Sequence, residues 1–200
     1  MKNKAFTLAE TLIVLSIIGI LATVSLGVWS KMIPDKEKIM FKKAYQTVEK
    51  TAGELVNDEN LYPYALNAIG FRNKENVTWP GENETFGGET KFCKLFERKL
   101  NVIVASRANE CSTFTTSDGI SYNIEDEAFG AGDDEATIFV DINGSDKDPN
   151  CIDRQGDSSY RVCSGSEQDI YRIFVSFDGR VRVESQRARD FLKSSTTTRD

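Results

Sequence analysis

The chain of 200 residues is 40% hydrophobic and 28% charged, the composition of one folded domain with at most an appendage. Its net charge of −6 argues against nucleic acid as a partner, because the phosphate backbone attracts cationic surfaces. Histidine is absent, so the chain lacks the commonest general base and the commonest metal ligand.

An apolar stretch without charged residues runs from residue 12 to residue 29, long enough to cross a bilayer as a helix. Lys2 and Lys4 precede it, and by the positive-inside rule the N-terminus stays in the cytoplasm while the remainder is exported. Lysines that follow the stretch weaken this charge argument. A cleaved signal peptide and a buried core helix are the alternatives, but the stretch is longer than a signal peptide requires, and Ala22–Val24 is a poor cleavage site.

Glu10 places a carboxylate inside an apolar segment that already includes Phe6 and Leu8. An acidic side chain in hydrocarbon costs on the order of 3 kcal/mol, and such residues usually have a function. If the chain were cut before Phe6, the new α-amine could neutralise Glu10, on the same chain or on a neighbouring one. The alternative is that Glu10 only marks the membrane edge.

The segment KAFTLAETLIVLSIIGILA resembles the N-terminus of type IV pilins and of type II secretion pseudopilins. The resemblance implies that a prepilin peptidase removes the leader 1–5 by cutting between Ala5 and Phe6, and that Phe6 is then N-methylated. It also implies that Glu10 pairs with the N-terminal amine of an adjacent subunit during filament assembly. The chain departs from the family in having Ala5 where glycine is usual, and Gly27 where the span often has a proline.

The resemblance further implies a type IV pilin-like fold, with one long N-terminal helix packed on a small antiparallel sheet. Apolar residues between positions 35 and 56 recur at steps of three and four, which predicts an amphipathic helix. One helix from Phe6 to Val56, kinked at Pro34, would join the apolar and amphipathic halves, and two separate helices are the alternative. The predicted organisation is a leader at 1–5, a transmembrane or filament-core helix at 6–30, the amphipathic half at 31–57, an extracytoplasmic globular domain at 58–193 and a disordered tail at 194–200.

The remainder of the chain predicts a turn-rich region, a short helix and then strands. Residues 57–88 are rich in Asn, Asp, Gly and Pro, and Thr90–Leu100 carries apolar residues on one helical face. Asp178–Gly179 predicts a two-residue hairpin turn. Helices followed by antiparallel strands indicate an α+β fold whose sheet covers the amphipathic helix. The predicted strands are Ser112–Thr116, Ile120–Ile124, Ala136–Ile142, Ile170–Phe177 and Arg180–Glu184.

Four cysteines without C-x-x-C spacing predict two disulfides in an oxidising compartment, and reduced buried cysteines are the alternative. Three connectivities are compatible with four cysteines. We expect the two local pairings, Cys93–Cys111 and Cys151–Cys163, each of which would fasten a loop to the sheet.

The segment DINGSDKDPN, residues 141–150, is dense in oxygen ligands. Asp141, Asn143, Asp146 and Asp148 could hold a structural Ca²⁺, although the segment is not an EF-hand. The resemblance supports this idea, because related pseudopilins carry calcium in a loop between late strands. A solvated turn is the alternative.

No catalytic set is recognisable, because the sequence lacks a G-x-S-x-G motif, a phosphate-binding loop and, without histidine, a Ser-His-Asp triad. We therefore predict a structural subunit of a type IV pilus or type II secretion pseudopilus, with no cofactor beyond the calcium ion. The alternatives are a minor or tip subunit that binds a surface or secreted ligand, and a membrane-anchored enzyme.

The resemblance also implies the partners and the location of the chain. Predicted partners are copies of itself or other pilin-like subunits, the prepilin peptidase and methyltransferase, and the bacterial inner membrane. The subunit would cross that membrane once, with its globular domain outside, before it joins a filament. The first 30 residues do not distinguish a pilus from a pseudopilus.

Overall fold

The computed structural model describes residues 9, 11–20, 36–63, 69–105, 113–125, 128–130, 132–153, 160–163 and 167–194. The chain divides into two compact units, Met1–Lys36 and Glu37–Asp200. In the first unit residues 11–20 are helical, and their large apolar side chains are between 50% and 66% exposed. No helix in the described ranges is both long enough and apolar enough for a membrane crossing.

Several predictions for the N-terminal half and the tail fall outside the described residues. They are most of the span at 6–30, the continuity of one helix as far as Val56, the kink at Pro34 and the disordered tail after Ser194. The mixed helix and sheet composition with antiparallel strands is confirmed, whereas the single long helix stays a prediction.

The amphipathic helix predicted from the apolar periodicity is confirmed as α1, Lys36–Val56. Its apolar face packs into the main core, where small side chains alternate with large ones and let the helix lie close to the sheet. Ile39, which the periodicity places on the same stripe, is instead 39% exposed. The fully buried apolar residues of α1 are Phe41, Ala44, Val48, Ala52 and Leu55.

A six-stranded antiparallel sheet lies under α1. The strands of the described ranges are β1 (Val77–Thr78), β2 (Thr85–Phe86), β3 (Val102–Val104), β4 (Thr113–Thr116), β5 (Ser121–Ile124), β6 (Glu135–Asp141), β7 (Cys151–Ile152), β8 (Arg161–Val162), β9 (Ile170–Ser176) and β10 (Val181–Val183). The order in the sheet is β10-β9-β6-β5-β4-β3, and β6 and β9 pair along seven residues. The five predicted strands are confirmed to within one residue at each end.

Two hairpins in this sheet use the same turn chemistry. In the β9–β10 hairpin, Ser176 N–H donates to Arg180 O at 2.8 Å and Gly179 has a φ of 84°. In the β4–β5 hairpin, Thr116 N–H donates to Ile120 O at 2.9 Å and Gly119 has a φ of 82°. Each loop therefore has three residues, with glycine in the left-handed position that L side chains disfavour. The prediction of a two-residue turn at Asp178–Gly179 is therefore wrong by one residue, because the loop also includes Phe177.

A small lobe covers the opposite face of the sheet. Strands β7 and β8 pair in parallel, and the Cys151–Cys163 disulfide joins them. Phe139 points away from α1 and packs with Ile152 and Ile170 in a second, smaller core. The sheet thus separates a large core against α1 from a minor core under the disulfide-linked lobe.

The region predicted as loop at 57–88 contains a short 3₁₀ helix, Gly70–Arg72, and the β1–β2 pair. Phe71 N–H donates to Phe177 O at 2.8 Å. A Cβ at Gly70 would lie 1.9 Å from that carbonyl oxygen, so this close approach requires glycine. The attachment to a hairpin about 100 residues later is non-local, and for this reason the local sequence pattern did not indicate it.

The predicted short helix is confirmed as α2, Lys91–Lys99. Lys91 is buried; its ammonium donates to Asn73 Oδ1 at 3.3 Å and lies 4.5 Å from the centre of the Tyr62 ring. Burial lowers the pKa of Lys91 to about 8. These contacts fasten the 57–88 region to α2.

A C-terminal helix that the sequence pattern did not indicate, α3 (Gln186–Lys193), ends the described chain. Ser185 caps it by accepting a hydrogen bond from Ala188 N–H at 3.3 Å. The helix packs on α1 through Phe191, whose ring centre lies 5.9 Å from that of Phe41. The large number of polar residues in α3 masked its short apolar face.

Candidate functional site

The predicted processing and assembly residues, Ala5, Phe6 and Glu10, lie outside the described residues. The helical residues 11–20 that follow them expose isoleucine, leucine and valine side chains on all sides. The one described serine in this segment, Ser16, donates its hydroxyl to Leu12 O at 2.8 Å. This internal bond satisfies the hydroxyl group of Ser16 within its own helix.

The start of α1 is fastened to the globular unit by a polar network that the sequence pattern did not reveal. The Glu37 carboxylate accepts hydrogen bonds from the Tyr171 hydroxyl and from the Arg187 guanidinium. Burial, followed by the hydrogen bond to Glu37, raises the pKa of the Tyr171 hydroxyl. Between flanking lysines, Glu37 has the sequence signature of a solvated face, so only the structure identifies its two partners.

Aromatic packing continues this junction. The ring centres of Phe41 and Tyr171 are 4.6 Å apart, and those of Tyr171 and Phe191 are 6.1 Å apart. Tyr45 adds a hydrogen bond from its hydroxyl to Val181 O at 3.2 Å. The first three turns of α1 are therefore joined to β9, β10 and α3.

The predicted calcium loop divides into a buried and an exposed part. The Asp141 carboxylate is buried, and its Oδ1 accepts hydrogen bonds from Asn143 N–H at 3.1 Å and Gly144 N–H at 3.0 Å. Among the described residues, Asp141 Oδ2 and Asn143 Oδ1 are buried without a hydrogen-bond partner. Asp146 and Asp148 are exposed. The structure therefore brings two of the four predicted ligands together.

Asp169 is a buried carboxylate beside this loop that sequence reasoning missed. Its Oδ1 accepts from Cys151 N–H at 2.8 Å, and its Oδ2 accepts from Asn150 N–H at 2.9 Å and Asn143 Nδ2 at 3.0 Å. Burial raises the pKa of Asp141 to about 6; hydrogen bonds from the loop oppose this shift, and the charge of Asp169 reinforces it. Asp169 is satisfied by hydrogen bonds, whereas Asp141 keeps an unsatisfied oxygen.

A small cavity of about 100 Å³ is lined in part by Asp141 and by the apolar side chains of Phe139 and Ile170. Hydroxyl and amide groups of Ser121, Asn123 and Tyr160 contribute to its lining. Across the ranges that the structure describes, no three acidic, cysteine or histidine side chains converge as a cage for a metal ion. A cation here would depend on Asp141, Asn143 and backbone or hydroxyl oxygens, so calcium binding stays a prediction.

The Cys151–Cys163 disulfide is present as predicted, with the two Cα atoms 5.7 Å apart. Cys93 is buried and also disulfide-bonded. Its predicted partner Cys111 lies outside the described residues, so the Cys93–Cys111 pairing stays a prediction.

Comparison with known proteins identifies the N-terminal segment. Residues 1–26 match the family model described as the prokaryotic N-terminal methylation motif. No curated protein and no solved structure matches the chain. The family defined by this motif is structural rather than catalytic, and its members are associated with membranes and assemble into filaments outside the cell. The chain thus begins with the prepilin-type cleavage and methylation segment of type IV pilins and pseudopilins.

Proposed function

We propose that this chain is a structural subunit of a type IV pilus or of a type II secretion pseudopilus. The observation that carries the proposal is the methylation motif at residues 1–26, together with the exposed apolar side chains of helical residues 11–20 within it. Such a surface is stable only when lipid or neighbouring apolar helices cover it. A subunit that waits in a membrane and then enters a helical filament core meets both conditions.

Assembly would follow from the charge at the new N-terminus. A prepilin peptidase cuts between Ala5 and Phe6, and the released α-amine carries a positive charge. Glu10 of one subunit then neutralises the amine of its neighbour inside the apolar core, where either charge alone would be costly. The junction at Glu37, Tyr171 and Arg187 fits this role, because it fastens the start of α1 to β9 and α3.

The test is the mass of the intact protein, isolated from cells with and without a prepilin peptidase. The expected result is a chain that begins at N-methylated Phe6 only when the peptidase is present. An uncut chain in both strains, or a cut near Ala22, would overturn the proposal. Methylation is read separately from cleavage, because it adds the mass of a methyl group to the N-terminal peptide.

The alternative role is that of a minor or tip subunit that binds a surface or a secreted ligand. A cavity of about 480 Å³ favours this role; Phe86, Leu100 and Ile103 line it together with charged side chains such as Lys94 and Arg98. Immunogold labelling of assembled filaments distinguishes the two roles. A major subunit labels the whole shaft, whereas a minor or tip subunit labels scattered points or ends.

Calcium would act as a structural ion in this proposal. Asp141 Oδ2 and Asn143 Oδ1 are the atoms that would hold it, because both are buried and lack a hydrogen-bond partner among the described residues. The test compares the unfolding midpoint of the protein in Ca²⁺ and in chelator. Stabilisation by Ca²⁺ that is lost in Asp141→Asn and kept in Asp146→Asn is expected. Equal midpoints in Ca²⁺ and in chelator would contradict the site.

A further inference from the structure

Two short segments of this acidic chain, in addition to α2 with its net charge of +3, carry a net positive charge. Residues 36–43 contain four lysines and one glutamate, for a net charge of +3. Helix α3 contains two arginines, one lysine and one aspartate, for a net charge of +2. Because the whole chain carries −6, the rest of the molecule carries −11. The two segments are far apart in sequence, so their clustering depends on the fold.

The structure places these two segments side by side. Arg187 contacts Glu37, the Phe191 ring lies 5.9 Å from that of Phe41, and Lys42 Nζ donates to Ser194 O. The residue numbers of the contacting pairs rise together in the two helices, so α3 runs parallel to the first two turns of α1. The cations of both helices therefore contribute to one surface. We define the basic surface as Lys38, Lys42, Arg189 and Lys193.

Anionic neighbours reduce the charge of the basic surface without reversing it. Glu37 is engaged by Arg187, and Asp190 accepts a hydrogen bond from Gln186 Nε2 at 2.8 Å. Glu184 lies 3.3 Å from the Arg172 guanidinium. Arg189 and Lys193 are exposed to solvent. A net positive potential therefore remains on this face of the globular unit.

An apolar side chain lies among these cations. Ile39 is 39% exposed although it follows Lys38 and precedes the buried Phe41. Lysine and arginine with an exposed aliphatic residue form the pattern of interfacial helices, in which cations meet headgroups and the apolar side chain enters the acyl boundary. The pattern favours a membrane surface over a soluble anion, which would make no use of Ile39.

We propose that the basic surface binds the anionic phospholipid headgroups of the membrane in which the subunit waits before assembly. This inference rests on the proposed function, because only a span at 6–30 brings Lys38, eight residues further along the chain, to the membrane face. Phosphate groups would pair with the ammonium and guanidinium groups, and the attraction would weaken as salt rises. This contact holds the globular unit on the membrane until the subunit leaves the membrane for the filament.

The experiment uses the full chain reconstituted in lipid nanodiscs of phosphatidylcholine, with or without added phosphatidylglycerol. Lysines are acetylated for short times, and the extent at each lysine is measured by mass spectrometry. We expect acetylation of Lys38 and Lys193 to slow several-fold in the anionic discs and to recover at high salt. Lys50 and Lys147, exposed lysines elsewhere on the chain, serve as internal controls and should react equally in both discs.

A charge-reversal pair makes the test specific. Arg189→Glu with Lys193→Glu should abolish the protection of Lys38 in the anionic discs, whereas Lys147→Glu with Arg180→Glu should preserve it. Equal acetylation of Lys38 in both discs would overturn the inference. Protection of Lys38 by inorganic phosphate in phosphatidylcholine discs would also overturn it, in favour of binding to a free anion.

Failure of the inference is distinguishable from failure of the proposed function. A chain that stays with the discs during flotation but shows no protection contradicts headgroup binding alone. A chain that does not stay with the discs contradicts the membrane span, and with it both proposals.

Discussion

Two helical segments of this chain contain similar apolar residues but differ in whether those side chains are exposed or buried. In residues 11–20 the apolar side chains are exposed, with Ile13 at 60% and Ile17 at 52%. In α1 the apolar residues Phe41 and Val48 are fully buried. The difference lies in patterning, because α1 alternates apolar and charged residues with helical period whereas the earlier segment is apolar on all sides. The apolar side chains of the first segment are exposed, whereas those of α1 are covered within the chain.

The two segments also differ in what identifies them. The N-terminal segment matches a family motif, whereas the globular unit is characterised by its own core and sheet. Assembly chemistry depends on a few residues in a fixed order, and a globular core tolerates many sequences of the same volume and pattern. The four predictions that follow test the contrast between the N-terminal helical segment, with its exposed apolar side chains, and the globular unit, which has its own buried core.

The largest effect is expected from Glu10→Ala. Removal of this carboxylate leaves the amine of the neighbouring subunit unpaired in the apolar core, at a cost of about 3–5 kcal/mol, which corresponds to at least about 100-fold weaker assembly. Membrane insertion should be unchanged or easier, because a charged group has been removed. Quantification of the variant in sheared filaments and in the membrane fraction measures both effects.

The matched control for Glu10→Ala is Glu49→Ala, which removes an exposed carboxylate from α1. We expect this control to enter filaments like the unsubstituted protein. Normal incorporation of Glu10→Ala would contradict the charge-pairing mechanism, and loss of both variants from filaments would point to a general effect of negative charge on assembly.

The next effect concerns the stability of the globular unit. Phe41→Ala removes a fully buried ring that contacts Tyr171, and should lower the free energy of unfolding by about 3–5 kcal/mol. Ile17→Ala, in the exposed helix, should change it by less than about 0.5 kcal/mol. Denaturant unfolding of the full chain in detergent, followed by near-UV circular dichroism, measures both. A large effect of Ile17→Ala would show that the two segments are not independent.

A smaller loss is expected when the Cys151–Cys163 bridge is removed. The two cysteines are 12 residues apart, and a loop of this length gives about 3 kcal/mol of stabilisation through the unfolded state. Because the bridge fastens the lobe over Phe139 and not α1, hydrogen exchange of a Cys151→Ser, Cys163→Ser variant should rise most in β7 and β8. Uniformly faster exchange across the whole sheet would contradict this local role.

Sequence reasoning succeeded where the determining physics is local. The period of α1 and the turn signals between strands are encoded within a few neighbouring residues, so five strands and two helices were placed to within one residue, although the turn at Gly179 has one residue more than predicted. It failed for α3, whose apolar contacts are few and whose partner Phe41 lies about 150 residues away. It failed likewise for the turn at Gly70, which depends on the carbonyl of Phe177.

The distinction between local and long-range determinants also explains why the calcium loop was predicted only in part. The density of oxygen ligands drew attention to residues 141–150, but composition does not separate the buried Asp141 from the exposed Asp146 and Asp148. Asp169 was missed because the pairing of β6 with β9 brings it beside Asp141 from 28 residues away. Burial of a carboxylate is a tertiary property, and the contrast between these aspartates therefore appears only in the structure.

The smallest expected effect is the pH dependence that Asp141 confers. Its pKa is raised to about 6 in the folded chain, above the usual value of 3.8, so the native state holds this proton more tightly than the unfolded state. The contribution of protonated Asp141 to the free energy of unfolding is therefore fully present below about pH 4 and is lost as the pH rises through about 6. In the absence of Ca²⁺ the loss amounts to about 2 kcal/mol, since each pKa unit corresponds to about 1.4 kcal/mol and solvent weakens the effect.

Asp141→Asn removes the titrating group while it keeps the shape of the side chain. The free energy of unfolding of this variant, measured in chelator, should fall less between pH 4 and pH 7 than that of the unsubstituted protein, by about 2 kcal/mol. Asp146→Asn removes an exposed carboxylate from the same loop and should leave the slope nearly unchanged. If Asp141→Asn and the unsubstituted protein lose stability in parallel, then the buried oxygen of Asp141 is solvated in solution, and the argument for a cation at this position fails with it.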